Sequence, residues 1–287
     1  MENQPENLRP AGVKVTYRRM KFEFEDAGFE RYWMGGSAFK SLFWTQLSTA
    51  FAPGEKFFID SARALKSQLK DPVLIAEIAE FCRQEGHHTA QHLKFDRVNQ
   101  AMGIDVPGCG ARYEWILDRA RSAADPMEML AATCALEHLT AAFADQFFED
   151  PKLFGDADPK VRALWAWHAA EEAEHRATCY DIYKQLGGKY GQRVVVLIAA
   201  WALILGAALL NTALLLRKDG KLFTRDTLTG LAYLFGPRGL ITRLGKPLRQ
   251  YLRPSFHPWQ GVDASTIARW QADNAKYIQN SGSSEAA

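Results

Sequence analysis

The sequence predicts an all-α fold, a four-helix bundle followed by a hydrophobic helical appendage toward the C-terminus. Three observations predict it. Asp71-Pro72, Asp125-Pro126 and Asp158-Pro159 each read as a helix N-cap followed by proline in the first turn, where aspartate accepts from free backbone amides and proline has no amide to lose. Two Glu-x-x-His pairs, Glu85/His88 and Glu172/His175, lie in the segments opened by two of these caps, and each follows another glutamate on its own helical segment, Glu55 or Glu137. Residues 194–216 carry no charge over 23 positions.

Taken in order, residues 1–36 read as a polar N-terminal tail in which Val13, Val15 and Tyr17 alternate with polar residues over a stretch too short for a sheet. Residues 37–190 form the bundle. Pro53 belongs in the first turn of a helix that carries Glu55, with Phe58, Ile59, Ala62 and Leu69 on one face. The four helices are expected at 53–69, 72–101, 126–149 and 159–187, and a loop containing Gly103, Pro107, Gly108 and Gly110 lets two helical hairpins face each other. Residues 191–260 form a hydrophobic, then basic, helical region, and 261–287 a C-terminal helix ending in the tail SGSSEAA, whose composition marks disorder.

The chain has 287 residues, 47% of them hydrophobic, enough for a full core, and a net charge of +2 argues against nucleic acid as the main partner. Four cysteines without a C-x-x-C pair point to a reducing compartment. Cys82, Cys134 and Cys179 each sit three or four residues from a candidate ligand and read as small buried fillers. The amino terminus lacks the apolar core of a signal peptide, so residence on the cytoplasmic side is expected.

Residues three apart on a helix share a face, so each Glu-x-x-His can meet one metal centre from one side. One glutamate from each of two helices and a Glu-x-x-His from each of two others is the ligand list of a bundle holding two ions. At about 100° per residue, Glu85, His88 and His92 form one stripe, and His168, Glu172 and His175 another. Salt-bridged helix faces would not need histidine at both registers. His87, Glu171 and Glu174 fall off the stripes and are expected to be solvated or to support other residues. The candidate ligands are therefore Glu55, Glu85, His88, Glu137, His168, Glu172 and His175, with His92 behind them or facing substrate. Four carboxylates balance two divalent ions, and the donor set favours two iron ions, then manganese, over zinc.

The order Glu55, Glu85-x-x-His88, Glu137, His168-x-x-x-Glu172-x-x-His175 resembles the ligand pattern of ferritin-like di-iron carboxylate proteins. The histidine four residues before Glu172 is similar to that of p-aminobenzoate N-oxygenase-type enzymes, from which His92 departs. FAPGEKFFID followed by QEGHHTAQH resembles, over roughly residues 38–250, the bacterial family labelled "predicted metal-dependent hydrolase". These resemblances imply a di-metal centre.

The uncharged segment 194–216 is long enough to cross a hydrocarbon core of ~30 Å. Lys184, Lys189 and Arg193 precede it and a longer basic series follows, which suits an in-plane or re-entrant arrangement on the cytoplasmic face of a membrane, with residues 228–235 as a return limb. The alternative is a buried helix in the bundle or at a homodimer interface. The leading expectation is a membrane-associated di-iron oxygenase that takes a hydrophobic or lipid substrate and electrons from an external donor, since no nucleotide-binding glycine loop is present. A two-metal hydrolase is the alternative, and a non-catalytic metal-handling bundle the third reading.

Overall fold

The computed structural model describes residues 8–10, 12–24 and 28–274. Among these the fold is all-helical: α1 (Ala38–Ser48), α2 (Phe51–Leu65), α3 (Pro72–Ala101), α4 (Val106–Ala123), α5 (Pro126–Glu149), α6 (Pro159–His175), α7 (Thr178–Gln185), α8 (Tyr190–Lys218), α9 (Arg225–Phe235), α10 (Gly245–Tyr251) and α11 (Ser265–Asp273). The Asp-Pro signals act as their chemistry requires. Asp71 accepts from the amides of Val73 and Leu74, and Asp158 from those of Lys160 and Val161. Asp125 and Glu128 form a reciprocal capping box that opens α5.

Helices α2, α3, α6 and α5 pack in a closed ring, α2 on α3, α3 on α6, α6 on α5 and α5 back on α2. This is the expected four-helix bundle. Each helix contributes to the buried polar cluster at its centre.

Several expectations need correction. The connection after α3 is shorter than expected: residues 102–105 turn at Gly103, and Asp105 then caps α4 by accepting from the Gly108 amide, where a Cβ would collide with that carboxylate. Gly108, which reads as a breaker, is the space for the cap. Helix α2 begins at Phe51, two residues before Pro53, and stops at Leu65. The fourth bundle helix is interrupted after His175 and resumes as α7, with Arg176 turned to pair with Asp145 at 2.6 Å.

The N-terminal segment is not a solvated tail where it is described. Val13, Val15, Arg18, Phe24, Phe29, Trp33 and Met34 are buried, and no strand forms beyond isolated bridging such as Met34 with Ala157. Arg193, expected among headgroup-facing cations, is buried instead within reach of Tyr180, Tyr190, Tyr251 and Phe256, and donates to the carbonyls of Tyr251 and Arg253. The expected tail SGSSEAA lies outside the described residues.

Helix α8 is long and apolar enough to cross a membrane, and 22% of its most apolar stretch is buried. One side packs on α5 and α1, with Leu197, Ala207, Ala208, Leu215 and Leu216 inside. Residues 228–235, the expected return limb, belong to α9, which packs on α1 so closely that a Cβ at Gly230 would overlap the Phe39 ring.

Candidate metal centre

Every residue anticipated from the stripes points into the bundle. Glu55, Glu85, His88, Glu137, His168, Glu172 and His175 are each at most 4% exposed. Donor atoms of Glu85, His88, Glu172 and His175 lie within 4.8 Å of one another, as do those of Glu55, His88 and His168. These two groups share His88, so the buried cluster could hold two neighbouring ions. Glu55 lies with His88 of its own hairpin and Glu137 with His175 of its own, at 3.9 and 2.7 Å. The two Glu-x-x-His motifs meet in one group, Glu55 joins His168 in the second, and Glu137 reaches the cluster through His175 at 2.7 Å.

The hydrogen bonds orient the rings of His88 and His168. His88 Nε2 lies 3.0 Å from Glu171 Oε2, which places its N–H there and leaves Nδ1 facing Glu172 at 3.6 Å, Glu55 at 3.9 Å and Glu85 at 4.0 Å. For His168 the direction propagates along a chain. Ser48 Oγ donates to Asp96 at 2.6 Å, so it accepts from His92 Nδ1 at 2.9 Å. His92 Nε2 is then a bare acceptor for the Nδ1–H of His168 at 2.9 Å. That leaves the lone pair of His168 Nε2 facing Glu172 Oε1 at 3.1 Å. Two acceptors this close require a cation or a proton between them.

The same requirement recurs around the cluster. Glu55 Oε1, both oxygens of Glu85, His88 Nδ1, Glu137 Oε1, His168 Nε2, Glu172 Oε2 and His175 Nε2 are buried without a hydrogen-bond partner. Buried polar groups are rarely left unpaired, and donors of this kind converging on one space suit divalent ions. Without ions, protons must supply the charge. Burial, and then the neighbouring Glu85, push Glu55 well above the ordinary carboxylate range, and burial does the same to Glu85 against the pull of His175. Burial also raises Glu137, to about 7. Burial opposes charge on His175, but Glu137, Glu172 and Glu85 together outweigh it and hold its pKa well up.

His92 lies behind His168, its Nε2 2.9 Å from His168 Nδ1. Glu171 and Glu174 do not behave as solvated side chains, since both are fully buried. Arg18 reaches Glu174 at 2.8 Å and Glu171 at 3.6 Å. His87 is half-buried and bonds the Met20 carbonyl at 2.6 Å. Thr89 donates to Glu55, and Cys82, Cys134 and Cys179 are buried nearby. Sequence reasoning missed Arg18, Ser48 and Asp96. Asp96 was within reach, because it extends the Glu85, His88, His92 stripe by one more turn.

The profile of a family described as "predicted metal-dependent hydrolase" matches residues 16–261. The chain belongs to this family. The match begins before Arg18, so it takes in the N-terminal segment that closes over Glu171 and Glu174, a wider span than the motifs around Glu55 and Glu85 indicate. No curated protein and no solved structure matches the chain. Within this metal-dependent hydrolase family member, the buried Glu/His cluster is the site where the described residues concentrate metal-binding donors.

A cavity of about 130 Å³ adjoins the cluster. Glu55, His168 and Glu172 form its polar end, while Phe51, Phe58, Leu139, Phe143 and Trp165 are among its walls, and Trp201 and Ile204 close it from α8. The apolar walls suit an apolar group of a substrate, and the carboxylates and imidazole suit its polar part.

Proposed function

We propose that the protein is a two-metal-ion hydrolase whose substrate carries an apolar group into the cavity beside Glu55, His168 and Glu172. The single observation that carries this is the cavity itself, because a hydrolytic two-metal site needs an open face for substrate, and this cavity meets the cluster at Glu55, His168 and Glu172. Family membership supports the reaction class. The assigned ligands are Glu55, Glu85, His88, Glu137, His168, Glu172 and His175, with iron or manganese favoured by the carboxylate-rich set. Bound ions would polarise the scissile carbonyl or phosphoryl group and lower the pKa of a bridging water.

The chain's own residues prepare that chemistry. Glu171 holds the His88 ring with Nδ1 inward, and the Asp96–Ser48–His92 chain does the same for His168 Nε2. Thr89 fixes one oxygen of Glu55 and leaves the other free. The apolar walls hold the substrate tail and exclude bulk water.

The test is hydrolysis of p-nitrophenyl esters of increasing acyl length by protein loaded with manganese, iron or zinc. Metal-dependent turnover that rises with chain length and is lost in Glu85→Ala is expected. Absence of hydrolysis with every metal and chain length would overturn the reading.

A second reading, a di-iron oxygenase fed by an external electron donor, is favoured by one specific observation: the cavity walls are nearly all apolar, and four carboxylates meet three imidazoles. Protein purified without oxygen and loaded with ferrous iron distinguishes the two. An oxygen-dependent optical change together with substrate oxidation supports the second reading, and hydrolysis under anaerobic conditions supports the first.

A further inference from the structure

We propose that the exposed sides of α8 and α9 dock in plane on an anionic lipid surface, and that acyl chains enter the cavity from there. The entry step rests on the function proposed above, while the docking stands on its own observations. Val195, Ile198, Leu203, Leu210 and Leu214 recur at helical spacing along the outer side of α8, the first two 66% and 59% exposed. Leu228, Leu231 and Phe235 form a second exposed stripe on α9, and Phe223 between the helices is 97% exposed. Large apolar side chains left exposed at helical spacing mark an interaction site. Because the inner side of α8 packs on α5, an upright span would draw Glu137 and its helix into hydrocarbon. An in-plane helix leaves the bundle in water.

Charge selects the partner. From Lys189 to Arg253 the chain holds eleven Lys and Arg against two acids, Asp219 and Asp226. Both acids are engaged inward: Asp219 by Arg31 at 2.6 Å and Tyr32 at 2.9 Å, Asp226 by Ser37 and the Phe39 amide. Arg217, Lys221, Arg225, Arg238, Arg249 and Arg253 are exposed and make no ion pair among the described residues. Anionic headgroups complement this surface, whereas a second copy would bring like charges together. Trp201 and Ile204, on the same helix as the exposed stripe, form the cavity wall on that side.

The test is flotation of the full-length protein with phosphatidylcholine vesicles, with or without phosphatidylglycerol. At least tenfold stronger partition onto the anionic vesicles is expected, falling with salt. Each cation at such a surface contributes about fivefold, so Arg217→Gln, Lys221→Gln and Arg225→Gln combined should weaken partition about 150-fold. Ile198→Glu with Leu203→Glu should abolish it on both vesicle types, and these solvent-facing changes leave metal content unaltered. Equal or absent partition on both vesicle types overturns the docking. So does a detergent-free dimer that Ile198→Glu with Leu203→Glu splits, since the stripe is then a protein interface. Flotation without ester hydrolysis would instead count against the reaction class alone.

Discussion

The Nδ1 atom of His168 lies 2.9 Å from Nε2 of His92, and this contact decides which nitrogen His168 offers to the cluster. His92→Phe keeps the volume and removes the acceptor. Metal affinity should fall 10- to 100-fold, the usual cost of losing a partner that orients a ligand. His92→Gln, whose amide oxygen can accept the same N–H, should recover part of the loss. Metal titration followed by calorimetry checks both.

Glu85→Ala and Glu172→Ala should abolish metal loading, because each removes a carboxylate from the group that unites both Glu-x-x-His motifs. Helical angle alone would make Glu171 and Glu174 equally dispensable. The structure separates them. Glu171→Ala releases His88 Nε2 and should cost 10- to 100-fold in affinity, whereas Glu174→Ala should leave metal content near that of the parent. Metal per chain after gel filtration gives the answer.

Arg18 is 1% exposed and faces two buried carboxylates. Arg18→Met keeps most of the bulk but leaves Glu171 and Glu174 without their cation, and breaking a buried pair from one side costs about 3–5 kcal/mol. Denaturant unfolding should show that loss. Adding Glu174→Gln to the variant should return part of it.

Asp96 predicts a pH dependence. Burial raises its pKa from 3.8 to about 7, against the hydrogen bond from Ser48. A carboxyl with a raised folded-state pKa keeps a proton that the unfolded chain releases, so its contribution to stability is lost as pH rises from about 3.8 to about 7. In metal-free protein, Asp96→Asn should flatten that part of the stability profile relative to the parent. Parallel profiles would show that Asp96 is ionised in the folded state throughout.

By sequence, residues from 191 onward form an appendage to the bundle. In the structure Ala208, Leu215 and Leu216 pack into the same core as Phe39, Leu42 and Trp44. A chain truncated at Gly191 should therefore aggregate or unfold rather than become soluble. Sedimentation and circular dichroism of the truncated chain check this.

The parts of the fold legible in the sequence are those with local causes. Aspartate caps define where α3, α5 and α6 start, and helical spacing places three of four site helices in correct register without knowledge of any neighbour. The fourth, α2, keeps Glu55 inward although its ends shift. Tertiary causes left little trace. No local pattern marks Arg18 as the counter-charge of Glu171 and Glu174, and no glycine or proline marks the interruption after His175. The partition of the cluster into groups that share His88 depends on how the helices are staggered, which residue spacing within each helix does not encode.

Arg18 also lies 5.0 Å from the ring of Trp270, and Gln271 on α11 donates to the Lys14 carbonyl at 3.0 Å. Segments from near the two ends of the described chain thus meet over the cluster. During synthesis α11 emerges after all four site helices, so this fastening can form only once the ligands themselves have been made. Ion capture and the fastening of the two ends can then be successive events in the life of one molecule. A bulky fusion placed directly after α11 would act on the second without touching the first.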